Sequence, residues 1–208
     1  MEDILIFLRR TKELESIERY GASLRGKQNT VAAHSWRLAL MALIIGPECR
    51  VRLNMGRTLS LALVHDLGEA KTGDIDAYEQ MLAGKKMTVR KTAKEDEAMR
   101  EMTGDIAFGK SVYDLWREYT DQRTVEARFV RALDKIEGFL HIAEGGVEMY
   151  IPKEFHASYA DAAVAAFDEA TRPFPELKDL LDAVKKDLKT QFEKAGVEWI
   201  DAAGSESE

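Results

Sequence analysis

Apolar residues recur along this chain at intervals of three and four, and runs of strict apolar–polar alternation are scarce. Ile4, Phe7, Leu8, Leu14 and Ile17 predict a first helix over 3–18, broken at Tyr20-Gly21-Ala22-Ser23. A second starts at the cap residues Asn29-Thr30 and runs from Val31 to Ile45, where Gly46-Pro47 stops it. A third, over 51–66, becomes almost wholly apolar at Leu59, Leu61, Ala62, Leu63 and Val64, the pattern of a buried central helix. Gly68 and Gly73 bracket a predicted loop, and the charged stretch 88–103 reads as an amphipathic surface helix. Further helices are predicted over 108–120 and 124–143, the latter closed by Gly145-Gly146, then over an Ala-rich 157–171 and over 175–195. With four prolines, no internal repeat and no long linker, the pattern specifies one all-α domain with a bundle-like core. That domain takes in residues 1–198: a core of about 5–145, C-terminal helices over about 154–198, and a tail, 199–208, expected to be disordered.

Composition narrows the function classes. A hydrophobic fraction of 45% over 208 residues is enough for a full core. No stretch approaches the roughly 18 uninterrupted apolar residues of a membrane span, so no membrane partner is expected. Met1-Glu2-Asp3 is acidic where an export signal is basic, and the single Cys49 cannot pair within the chain. Both point to the cytoplasm. The net charge of −7 argues against nucleic acid as the main partner but allows a small anion held by local arginines.

The chemistry is carried by a few polar residues in apolar surroundings: His34 in Val31-Ala32-Ala33-His34-Ser35-Trp36, the doublet His65-Asp66 closing Leu61-Ala62-Leu63-Val64, and Asp134 within Phe129–Ile136. A buried carboxylate needs a partner, a hydrogen bond or a metal. Two imidazoles and two carboxylates suit one divalent ion: Mn, Fe, Co, Ni or Zn. Four protein ligands on an octahedral ion leave two positions for water or substrate. Taken singly, each residue has an ordinary reading as well: His34 as a satisfied core histidine, Asp134 as a surface partner of Lys135. His141 lies seven residues after Asp134, about 10 Å along a helix, too far to share its ion. His156 is expected to face solvent and Trp36 and Met41 to pack in the core; Arg25 and Lys27 lie in the loop before the second helix, where a role in holding phosphate is the lesser of their readings.

The order His34, His65-Asp66, Asp134 resembles the signature of the HD-domain phosphohydrolases. Within that family, Leu61–Ile75 is similar to the branch containing the bacterial 5′-deoxynucleotidases and their eukaryotic relatives. That branch has a glutamate four residues after the motif histidine, an aspartate nine after it, and an arginine fifteen before the first histidine. Glu69, Asp74 and Arg19 stand at those positions. Tyr113–Tyr119 and Ala127-Arg128-Phe129-Val130 resemble the same branch, and the likeness spans about residues 5–145.

The resemblance implies an HD-domain helical bundle and a 5′-nucleotidase releasing nucleoside and phosphate from (deoxy)nucleoside monophosphates. It implies metal ligands His34, His65, Asp66 and Asp134, with Mg added to the candidate ions. Glu69 would assist the attacking water, Asp74 the leaving group, and Arg19 would hold phosphate, in a homodimer. Glu69 lies four residues beyond His65, so in a continued helix it would share that ligand's face. No histidine separates His65 from Asp134, which favours one metal rather than two. Tyr20 and Ala33 depart from the branch, which often has tryptophan and an acid there, and leave base and sugar preference open. A phosphatase or phosphodiesterase for another metabolite, or a non-enzymatic nucleotide-binding domain, is the alternative.

Overall fold

The computed structural model describes residues 1–19, 29–75, 77–147 and 165–196. Among these the elements are α1 (Glu2–Thr11), a 3₁₀ turn (Lys12–Glu15), α2 (Val31–Glu48), α3 (Met55–Val64), α4 (Glu69–Thr72), α5 (Ala77–Thr103), α6 (Gly109–Thr120), α7 (Val125–Gly145), a second 3₁₀ turn (Pro175–Leu177) and α8 (Lys178–Lys194). Residues 165–171 are helical too. No strand occurs among the described residues, so the chain is all-α. The predicted tail, His156, Tyr20, Arg25, Lys27 and the first part of helix 157–171 lie outside them.

Among the described residues, three helices begin on side-chain caps. Thr30 accepts from the Ala33 amide at 3.2 Å, Asn54 from Arg57 at 3.0 Å, and Thr124 from Ala127 at 3.2 Å. Each satisfies an amide that the helix itself leaves unpaired. The centre of the molecule is α7, whose Phe129, Val130, Ala132, Leu133 and Ile136 are fully buried. Leu38 and Ala42 of α2 and Leu61 and Ala62 of α3 join the same core, as do Val184, Leu188 and Phe192, one face of α8. A smaller cluster of Leu14, Val31, Leu67, Met99 and Trp116 gathers α5 and α6 around the start of α2. Arg10 fastens α1 to the corner after α5 through the Asp105 carboxylate, at 2.6 and 2.7 Å, and the Met102 carbonyl, at 2.7 Å.

Several boundaries differ from the sequence-based expectation. The first helix stops at Thr11 and tightens into a 3₁₀ turn. α2 runs past Gly46 through Pro47 to Glu48. α3 starts at the Asn54 cap and ends at Val64, so His65 and Asp66 stand in a turn. The expected loop after Gly68 is instead the single turn α4, closed by Gly73 at φ +71°, a conformation that L side chains rarely adopt. α5 begins at Ala77 and is not only a surface helix, since Ala98, Met99 and Met102 are buried. Trp36 is not in the core: it is 66% exposed, while Met41 packs against the core as expected.

Candidate metal centre

Three helices and a turn bring the candidate residues together. The cap on Thr30 fixes the first turn of α2, and His34 points from that turn with its side chain fully buried. The segment before α2 is held by a short antiparallel pairing. The Arg19 amide donates to the Asn29 carbonyl at 2.8 Å, and the Val31 amide to the Ile17 carbonyl at 2.9 Å. That pairing sets Arg19 beside the start of α2.

His65 donates from Nδ1 to the Ala62 carbonyl at 2.9 Å. His34 does the same from Nδ1 to Glu137 Oε2 at 2.5 Å. Both acceptors lack a hydrogen, so each ring's one neutral N–H is committed there and each Nε2 carries a lone pair. The two Nε2 atoms nevertheless face each other at 3.2 Å. Asp66 Oδ2 lies 2.9 Å from the His65 Nε2 and 3.8 Å from that of His34. Asp134 Oδ1 lies 3.3 Å from His34 Nε2. His34, His65 and Asp66 can each offer one ligand atom within 4.8 Å of the others. Lone pairs crowded in this way call for a proton or a cation among them, and the donor set of two imidazoles and carboxylates fits a divalent first-row ion.

The electrostatics agree with this geometry. Burial and the Arg19 charge oppose a proton on His34, yet hydrogen bonds to Asp134 and Glu137 prevail and push it up to about 9. Burial works against ionised Asp66 and Asp134 as well, but the histidines hold both carboxyls well below the usual range. The outer oxygen of Asp134 is approached by the Tyr119 hydroxyl at 3.4 Å and by Arg131 Nη1 at 3.3 Å. The Tyr119 ring packs edge-on against His65 with centroids 5.2 Å apart.

Glu69, 1% exposed, opens α4 and does not continue the helix of His65, so its place beside the histidine comes from the intervening turn. Its amide donates to the Asp66 carbonyl at 3.0 Å. Lys91 of α5 donates to Oε1 at 3.0 Å, while the buried Oε2 has no hydrogen-bond partner among the described residues. Burial first, and then the charge of Asp66, pushes the carboxyl up to about 9 against the pull of Lys91. Asp74 follows Gly73, and its negative charge is felt at Glu69. Arg19 donates from Nη1 to Glu137 Oε2 at 2.9 Å. His141 is part-buried, two turns along α7 from Asp134.

The sequence reading missed Glu137 and Lys91. Glu137 left a trace, an acid inside the apolar run Ile136–Phe139, one turn after Asp134. Lys91 left none, because it is one of many charges in its stretch.

Comparisons with known proteins agree on one family. A model of the HD domain matches residues 11–171. Human 5′-deoxynucleotidase HDDC2 is 31% identical over 199 residues, 94% of this chain and 91% of the human protein. The bovine protein of the same name is 36% identical over 146 residues, 68% of this chain and 67% of its own. The crystal structure of a predicted metal-dependent phosphohydrolase from Magnetospirillum magnetotacticum MS-1 superposes with a TM-score of 0.73 at 21% identity, covering 95% of this chain and 97% of that one. This last likeness is one of fold.

Proposed function

The chain belongs to the HD-domain family, and from that premise we propose that it is a metal-dependent 5′-nucleotidase, hydrolysing (deoxy)nucleoside 5′-monophosphates to nucleoside and phosphate. The observation that carries the reading is the convergence of the His34 and His65 Nε2 lone pairs with an Asp66 oxygen, with Asp134 Oδ1 3.3 Å from His34. These four residues would hold one divalent ion: Mn, Co, Fe, Ni, Zn or Mg. When bound, it would supply Lewis acidity toward a phosphoryl oxygen and lower the pKa of water.

The remaining chemistry falls to the chain. Glu69 presents one oxygen to Lys91 and keeps the other, buried and unpartnered among the described residues, for the attacking water. Its proton affinity is raised well above that of an ordinary carboxylate, and a cation on Asp66 would offset the first of the negative charges that raise it and bring it toward the neutral range a general base needs. Asp74, within electrostatic reach of Glu69, would protonate the leaving oxygen. Arg19, held by Glu137, would bind the phosphate.

The same reading includes a cytoplasmic homodimer whose substrate is a small phosphomonoester rather than nucleic acid or membrane. Trp36, Leu40, Leu43 and Ile44 form one exposed apolar stripe along α2, 66, 39, 49 and 53% accessible. An uncharged stripe is self-complementary across a two-fold axis, so a second copy of the chain is the occupant we assign. The acidic net charge and single cysteine support the rest.

The test is phosphate release from a panel of dNMPs, NMPs and sugar phosphates. Protein stripped by chelator is resupplied with each metal in turn, with His65→Ala as control. Metal-dependent release from monophosphates, absent in the variant, is expected. Release only from sugar phosphates, or none from a protein that binds metal, would overturn the nucleotidase reading.

A further inference from the structure

We propose that Glu137 is a positioning residue that joins the metal-ligating and phosphate-binding halves of the site, through one oxygen that holds His34 and Arg19 together. The inference rests on the reading of His34 as a ligand and of Arg19 as the phosphate group.

Glu137 is 1% exposed and lies three residues after Asp134, so both acids leave α7 on the same side. Its Oε2 accepts from His34 Nδ1 at 2.5 Å and from Arg19 Nη1 at 2.9 Å. A carboxylate oxygen has two lone pairs, and these two donors use both. The consequences differ for the two partners. For His34, the acceptor fixes the tautomer, keeps the Nε2 lone pair toward Asp66 and Asp134, and makes the ring a more basic ligand. For Arg19, it supplies the countercharge that keeps a mostly buried guanidinium in place before substrate arrives. Glu137 itself needs both partners, because a buried carboxylate without them would be costly. The segment carrying Arg19 is joined to the start of α2 by short backbone pairing and by the packing of Leu14 and Ile17 near Val31, and Glu137 ties its guanidinium to α7.

Glu137→Gln keeps the shape and removes the charge. Three readouts test the inference. Cobalt affinity, followed by the visible absorption of the Co(II) protein, is expected to fall ten- to a hundredfold. The KM for a phosphomonoester at saturating cobalt is expected to rise several-fold. In the zinc-loaded protein, the downfield proton resonance of the His34 Nδ1–H is expected to move upfield in Glu137→Gln and further downfield in Arg19→Ala, where the oxygen is no longer shared. Unchanged cobalt affinity in Glu137→Gln, unchanged KM, or an Nδ1–H resonance indifferent to Arg19→Ala would each overturn the shared-oxygen proposal. The Arg19→Ala arm stands even if Glu137→Gln does not fold. The cobalt and proton readouts also do not depend on turnover, so failure to hydrolyse nucleotides is distinguishable from failure of this proposal.

Discussion

Nε2 of His34 and Nε2 of His65 face each other at 3.2 Å, although each ring has its Nδ1–H committed to another acceptor. Both nitrogens are therefore free to act as the ligand atoms proposed above, and a proton would be the competitor of a metal for His34, which is pushed up to about 9. Adding cobalt or manganese to chelator-stripped protein near neutral pH should release protons, and affinity should weaken as the pH falls. Calorimetry in buffers of different ionisation enthalpy checks this. An observed enthalpy independent of the buffer would contradict it.

Glu69→Gln should retain metal, because Glu69 is not one of the four residues proposed to hold it and its Oε1 is engaged by Lys91. Turnover should nevertheless fall by about 10²–10⁴, the usual contribution of a positioned base. Metal content by elemental analysis and kcat measured on the same sample separate the two effects, and wild-type turnover would remove Glu69 from the mechanism.

The pairing of Glu118 with Arg57 is structural. Glu118 is 6% exposed and accepts from Arg57 Nε at 3.2 Å, from Arg57 Nη2, and from the Thr124 hydroxyl at 2.7 Å. Arg57 holds the Glu118 carboxyl below its usual value, with burial opposing and Thr124 helping. A carboxyl depressed in the native state stabilises above its unfolded pKa, and that contribution is lost as pH falls through the native value. Glu118→Gln should lower unfolding stability by about 1–3 kcal/mol near neutral pH. In urea titrations the gap from wild type should narrow on acidification.

Gly109 begins α6 where a Cβ would collide with the Thr103 carbonyl oxygen. The obstacle is backbone and cannot rotate aside. Gly109→Ala should therefore force α5 and α6 apart and cost about 1–3 kcal/mol, read as a lower urea midpoint.

Trp36→Glu and Leu40→Glu place charges on the exposed stripe of α2 without touching the core. Light scattering should show the proposed dimer dissociating in both variants, with helical content by circular dichroism unchanged. A wild-type chain that is monomeric at micromolar concentration would refute the assignment of the stripe.

Much of the site was legible because its signals were local. A cap at Thr30 before an apolar run placed His34, and the doublet after Leu61–Val64 placed His65 and Asp66. Other features depended on contacts that no local pattern carries. The end of α3 at Val64 goes with the burial of Leu67 in a cluster with Met99 and Trp116, both distant in sequence. Trp36 was misplaced because α2 is apolar around most of its circumference, and such a helix does not announce which side meets the core. Lys91 reaches Glu69 across 22 positions, and only the packing of α4 on α5 brings them together.

The Thr124 hydroxyl does two things: it caps α7, and it is held in turn by Glu118. Asp134 follows ten residues later and Glu137 thirteen. A slip of α7 by one residue would carry both acids about 1.5 Å along the axis and turn them by about 100°. The interval from Thr124 to Asp134 is thus a fixed measure. Insertion or deletion of one residue within it should abolish metal binding outright, whereas substitutions on its solvent side should pass unnoticed.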